Sequence, residues 1–113
     1  MSHTTTVTDA TFASEVEQHP GLAVVDFTAT WCGPCRILAP ILEEVAAERA
    51  GSVKVMKLDM DENQRTVTRF NVRSAPTLMF FRDGRPVGQI IGAVPKARID
   101  AALDQAGSAA SAA

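Results

Sequence analysis

The chain holds two cysteines, Cys32 and Cys35, within the run Trp31-Cys32-Gly33-Pro34-Cys35. An apolar segment ending at Phe27 precedes them and a helical pattern follows. A thiol attacks as its anion. A helix start favours that anion, because the first backbone N–H groups lack intrahelical partners and the peptide dipoles add in phase. Cys32 is therefore the expected attacking sulfur. Pro34 suits a first helical turn, where a missing N–H costs little, and it restrains the short loop between the sulfurs. Cys35 falls one turn after Cys32, so the two side chains share a face. Cys35 can then close a ring onto Cys32 and displace whatever Cys32 has captured. The competing readings are an inert buried pair and half of a zinc site. Zinc asks for about four ligands, and beyond the cysteines there are only His3, His19 and common carboxylates, with neither histidine at ligand-like spacing.

The elements that must position this pair can be read from period and punctuation. Thr4 to Val7 is β-branched enough for a short strand, and Thr8 or Asp9 can cap a helix that puts Phe12 and Val16 on one face before His19-Pro20-Gly21 ends it. Leu22 to Thr28 reads as a central strand covered on both faces. From Pro34, the residues Ile37, Leu38, Ile41, Leu42, Val45 and Ala46 recur at helical spacing until Gly51, with Pro40 expected to bend the helix without ending it. Val53 to Leu58 is a second central strand, and Glu62 to Phe70 a short helix with Asp61 as its expected cap. The βαβ unit makes the two central strands parallel neighbours with a right-handed crossover. Thr77 to Phe81 and Pro86 to Ile91, separated by Arg82-Asp83-Gly84-Arg85, read as an antiparallel hairpin. A final helix is expected over about Pro95 to Ala106, leaving 108–113 as a Ser/Ala tail with nothing to bury.

The whole has 113 residues, 46% of them apolar, enough for one core and too few for two ordinary domains. The expected organisation is a single α/β domain over 1–107 and a flexible tail over 108–113. A net charge of −2 leaves no cation excess to grip a nucleic-acid backbone or an anionic membrane. Residues 1–6 have neither the basic start nor the apolar stretch of a secretory signal, and no segment reaches membrane-spanning length. A cytoplasmic protein is the expectation, and there a close cysteine pair points to redox or metal chemistry more than to a permanent cross-link.

Asp26 interrupts an apolar strand. An ionised carboxylate there is costly unless it is paired, hydrogen-bonded or kept neutral by a raised pKa. It either serves the chemistry or reaches solvent at the strand end. Lys57, taken alone, would pass as a surface lysine, and Trp31 as core filling.

Seven features in order carry a family resemblance: Val25-Asp26-Phe27, Trp31 to Cys35, Ala39-Pro40, Lys57 with Asp59, Ala75-Pro76-Thr77, Asp83-Gly84 and Gly92-Ala93. Over nearly its whole length the chain resembles a thioredoxin, the family that is itself a reference case for an activated CxxC pair. The resemblance implies the thioredoxin fold, a central mixed β-sheet in the order βαβαβαββα with helices on both faces, and the reduction of disulfides in other proteins. It places Asp26 beneath the cysteines, helping to move the proton of Cys35 through water, and sets the Lys57 ammonium near Asp26. Only about one X-Pro bond in twenty is cis in folded proteins, yet the resemblance makes the bond before Pro76 cis and turns Pro76 towards the cysteines. The backbone of Ala75 is then free to pair with an extended substrate. Trp31, Gly33, Pro34, Ala75, Pro76, Gly92 and Ala93 become an apolar contact surface. Thr28 and Thr30 depart from the pattern, where an aromatic and an acidic or other polar residue are usual, which bears on partner choice.

The reaction so implied is protein-disulfide reduction with no bound cofactor. NADPH would supply electrons through a separate thioredoxin reductase, since the chain has no GxGxxG and no room for a nucleotide domain. The partners are that reductase and disulfide-containing target proteins, and the default state is a monomer. The alternative is a redox-switched binding or regulatory module using the same surface. An oxidant or isomerase fits less well, because such enzymes usually carry a histidine before the second cysteine, where this chain has Pro34.

Overall fold

A computed structural model describes residues 2–111, with side chains described through residue 108. Five strands form one mixed sheet: β1 (Thr5–Thr6), β2 (Leu22–Thr28), β3 (Val53–Asp59), β4 (Thr77–Arg82) and β5 (Arg85–Ile91). Their spatial order is β1-β3-β2-β4-β5. β1 and β2 run parallel to β3, while β4 is antiparallel to β2 and β5 to β4. The parallel pair expected from the βαβ pattern and the antiparallel hairpin are both present. β2 lies at the centre, and its residues 23–27 are all buried, which explains its near-continuous apolar run.

Alternation along the strands sorts the core into two layers. Val24, Val53, Val55, Leu78 and Phe80 face α1 (Gly33–Glu48) and α3 (Lys96–Ser111), meeting Leu38, Leu42, Ile99 and Leu103. Val25, Phe27, Met56, Leu58 and Phe81 face the other way, towards Phe12, Val16 and Phe70 beside α2 (Gln64–Arg69). In that second layer the rings of Phe12, Phe70 and Phe81 pack mutually with centroids 5.3, 5.9 and 5.8 Å apart. Asp26 and Lys57 share the parity of Val24 and Val55, so both lie on the face that α1 covers.

Several boundaries differ from the sequence expectation. The first helical segment is a single π-helical turn, Ala13–Glu17, in which Gln18 N–H donates to Ala13 O at 3.0 Å. Its N-cap is Phe12, with no side-chain cap bond; the Thr8 hydroxyl instead accepts from Thr11 N–H at 3.3 Å in the turn before it. The expected cap of the next helix, Asp61, is not the cap: α2 begins at Gln64 after Asn63. The free donors of its first turn are met by Asp9, whose carboxylate accepts from Thr66 N–H at 2.9 Å and Arg65 N–H at 3.3 Å. A cap from a distant segment leaves no local signature. Ile37, placed on the core stripe of α1 by spacing, is 65% exposed, while Cys35, Leu38, Leu42, Val45 and Ala46 are buried. α3 continues past Gly107 to Ser111, where Ala106 was the expected end. The Ala-rich sequence offsets the roughly 1 kcal/mol that a helical glycine costs. Residues 112 and 113 of the expected tail lie outside the described residues.

The hairpin turn is shorter than the four residues expected. Arg82 and Arg85 pair, leaving Asp83 and Gly84 as a two-residue turn with φ of 49° and 81°, the sign that primed hairpin turns require. Asp83 also accepts from Gly21 N–H at 2.6 Å. A Cβ at Gly84 would collide with the backbone carbonyl of Glu17. Gly84→Ala is therefore expected to destabilise the fold by roughly 2 kcal/mol or more, read as a lowered urea midpoint; an unchanged midpoint would contradict this packing.

Candidate functional site

The site is built where β2 ends and α1 begins. Cys32 is the N-cap of α1, in extended conformation with φ −93° and ψ 113°, and Pro34 occupies the first turn. Cys32 and Cys35 form a disulfide with their Cα atoms 5.3 Å apart. The backbone N–H of Cys35 donates to Cys32 Sγ at 3.2 Å, so an otherwise unpaired helix-start donor points at the sulfur proposed to attack. Ahead of the motif, Cys32 N–H bonds to Ala29 O at 3.3 Å, and the Arg36 guanidinium reaches back to Thr30 O at 3.0 Å. These bonds fix the loop against the helix.

In the oxidised protein both sulfurs are well covered, Cys32 at 3% and Cys35 at 4% exposure. They pack with Ala29 and with the partly buried Ala75. The Ala75–Pro76 peptide bond is cis, as the family resemblance implies, and Ala75 O lies 3.5 Å from Cys32 Sγ. Pro76 is itself buried, so the part of this loop available for contact is Ala75 and its backbone. Pro76 O accepts from Gly92 N–H at 2.8 Å, which draws the Gly92-Ala93 segment to the same spot. Gly92 has φ 98°, a conformation glycine adopts without strain. Gly33, Pro34 and Ala93 are exposed. The sequence-expected residues thus converge from three segments.

Large apolar side chains stand out from this surface. Trp31 is 68% exposed, and so are Ile37 at 65% and Ile91 at 62%. Ile91 adjoins Gly92 and pairs in register with Thr77, next to Pro76. Neither isoleucine was singled out from sequence: Ile37 sits in a helical run whose period suggested a buried face, and Ile91 ends a run read simply as a hairpin strand. Trp31 is not core filling. Its indole Nε1–H donates to Asp61 Oδ2 at 2.8 Å, so Asp61 braces the tryptophan instead of capping α2. Asp61→Ala is expected to free the ring, changing Trp31 emission while costing only about 1 kcal/mol of stability; with one tryptophan and no tyrosine the signal is unambiguous.

Beneath the motif, Asp26 is 2% exposed, and its Oδ1 has no hydrogen-bond partner among the described residues. Burial pushes its pKa up from 3.8 to about 7, against a smaller lowering by the Lys57 charge. Asp26 and Lys57 are register partners on adjacent strands, and Lys57 is half-buried. The strand-end, solvent-reaching alternative for Asp26 does not hold. Among the described residues no group of three or more His, Cys, Asp or Glu side chains could hold a metal ion, and no helix is long and apolar enough to cross a membrane.

The sequence profile of the thioredoxin family matches residues 3–105. The thioredoxins of Staphylococcus aureus strains Mu50 / ATCC 700699 and MW2 are each 50% identical over 99 residues, which is 88% of this chain and 93% of the relative. The chain belongs to the thioredoxin family. Its mixed sheet with helices on both faces is the thioredoxin fold, and its Cys32–Cys35 disulfide is a redox pair of the kind the family uses in thiol–disulfide exchange. As a thioredoxin-family member it is a protein-disulfide oxidoreductase that carries no cofactor of its own.

Proposed function

We propose that the chain is a general protein-disulfide reductase in which Cys32 attacks, Cys35 resolves and Asp26 moves the proton. The observation that carries this is the helix-start N–H of Cys35 aimed at Cys32 Sγ, above a buried carboxyl. In the reduced protein the Cys32 thiolate attacks one sulfur of a target disulfide. A Cys32–target bond forms and the other target sulfur leaves as a thiolate. Asp26, through a bridging water, takes the proton of Cys35. The Cys35 thiolate then attacks Cys32 Sγ, the bond to the target breaks, and the second target thiolate departs. Two electrons have passed to the target and the Cys32–Cys35 disulfide is restored. Lys57 modulates Asp26 by favouring its charged form.

Docking falls to Trp31, Gly33, Pro34, Ala75, Gly92 and Ala93, with the buried Pro76 shaping the loop behind Ala75, and the exposed Ile37 and Ile91 are added. Small residues let an extended target strand approach, and the backbone of Ala75 offers it hydrogen bonds. A thioredoxin reductase drawing on NADPH returns the electrons, disulfide-containing proteins receive them, and the chain works as a cytoplasmic monomer of one domain whose last helix runs on to Ser111. The test couples the chain to NADPH and a thioredoxin reductase with a disulfide-linked protein as substrate. NADPH consumption that depends on Cys32 supports the reading, and its absence refutes it. The exposed apolar rim also suits a redox-switched binding module; full biological activity in a Cys32→Ser variant would favour that alternative.

A further inference from the structure

Glu43 lies about two turns along α1 from Cys35 and is part-buried, its carboxylate gripped by the N-terminal segment. Ser2 Oγ donates to Oε1 at 2.6 Å, His3 N–H to Oε2 at 2.9 Å and Thr4 Oγ1 to Oε1 at 3.0 Å. The segment so held runs into β1, where Thr6 is the register partner of Lys57, and Lys57 is in turn the register partner of Asp26. Asp26 and Lys57 are therefore neighbours across β2 and β3, and the segment that holds Glu43 of α1 leads directly into β1, the strand on the other side of Lys57. The titratable groups on this side are Lys57 and Asp59 from β3, whose carboxylate accepts from Asp61 N–H at 2.9 Å, Cys35 and Glu43 from α1, and His3 from the N-terminal segment, whose Nδ1 is 3.9 Å from Glu43 Oε2. β4 and α3 contribute Leu78, Phe80, Ile99 and Leu103, all apolar.

Three donors on one carboxylate do more than tie down a chain end. The Ser2 hydroxyl foremost, then the His3 N–H, push Glu43 down to about 2, with Lys57 adding a smaller electrostatic pull. Glu43 is then held as its anion at neutral pH, and the Lys57 charge acts on both Asp26 and Glu43, at Glu43 as the smallest of the causes.

We propose that Glu43 is a positioning residue for the resolving step, claiming a share of the Lys57 charge and so setting how readily Asp26 accepts a proton. This rests on the assignment of Asp26 as proton acceptor for Cys35. With Glu43 ionised, less of the ammonium's field stabilises the Asp26 anion, and Asp26 keeps its proton to higher pH. With Glu43 neutral, Lys57 serves Asp26 alone.

The test is a carbon NMR titration of the Asp26 side-chain carboxyl in the full chain, with amide spectra confirming the fold. Glu43→Gln is expected to lower the Asp26 midpoint by about 0.5 pH unit, and Glu43→Asp, which keeps the charge, to leave it nearly in place. In a Lys57→Gln background the Glu43→Gln shift should shrink to less than half. An unchanged midpoint in folded Glu43→Gln overturns the proposal, and an undiminished shift without Lys57 overturns the sharing. Mixed-disulfide resolution measured against pH on the same proteins separates the two assignments. A midpoint that moves while the rate profile stays fixed overturns the role of Asp26, because the titration itself does not depend on turnover.

Discussion

Cys35→Ser converts the chain from a catalyst into a trap. Cys32 keeps its place at the N-cap of α1, with the helix-start N–H of residue 35 still directed at its sulfur, so attack on a target disulfide proceeds. The hydroxyl that replaces the second thiol cannot displace a disulfide sulfur, and the Cys32–target bond persists. Steady-state reduction is expected to fall by roughly 100-fold or more, because nucleophile and resolver act as a unit. A covalent adduct sensitive to dithiothreitol should accumulate at one target per chain. Cys32→Ser loses the same turnover without the adduct. Mass spectrometry of the quenched mixture checks both, and a Cys35→Ser variant that turned over normally would contradict the order of attack.

Asp26→Asn is expected to trade activity for stability. Asparagine fills nearly the same volume and removes the carboxyl that takes the proton of Cys35, so the resolving step slows by about tenfold or more near neutral pH. The stability effect follows from burial. The folded pKa is raised from 3.8 to about 7, desolvation being the main cause. A raised folded value means that the folded chain binds the proton more tightly than the unfolded one. The contribution is therefore fully present below pH 3.8 and is lost as pH rises through about 7. A shift of that size corresponds to about 4 kcal/mol. Oxidised wild type and Asp26→Asn should have similar urea stability near pH 4. By pH 8 the variant should be the more stable, by up to about 4 kcal/mol. Parallel stability curves for the two proteins across this range would show that Asp26 is not titrating where its burial places it.

The chemistry was more legible in the sequence than the supports around it. Cys32, Pro34 and Cys35 announce themselves because spacing, helix start and side-chain type all point to the same chemistry. Asp26 is conspicuous because a carboxylate inside a buried apolar strand breaks the pattern of its neighbours. The boundaries of β2 match the sequence reading at both ends, since a fully buried strand has a continuous apolar signature. Most of the misses around the site have a common physical form: they depend on residues distant in sequence. Asp61 looks like a local helix cap, yet its carboxylate is taken by Trp31, while the α2 donors are met by Asp9. Ile37 fits a helical stripe by period, but the layers above and below it leave that position in solvent. The clasp of Glu43 by Ser2, His3 and Thr4 joins residues some forty positions apart, and no short-range pattern marks it. The cis bond before Pro76 came from the family likeness and from nothing in the residues themselves.

The central claim is that the start of α1 holds Cys32 as a reactive anion at neutral pH. Its most direct test is the rate of alkylation of the reduced chain by iodoacetamide as a function of pH, with the modified cysteine identified by peptide mapping. Cys32 should react first, and its rate should rise with a midpoint more than one unit below the about 8.5 of a free thiol. A midpoint at or above the free-thiol value, or preferential modification of Cys35, would contradict the account.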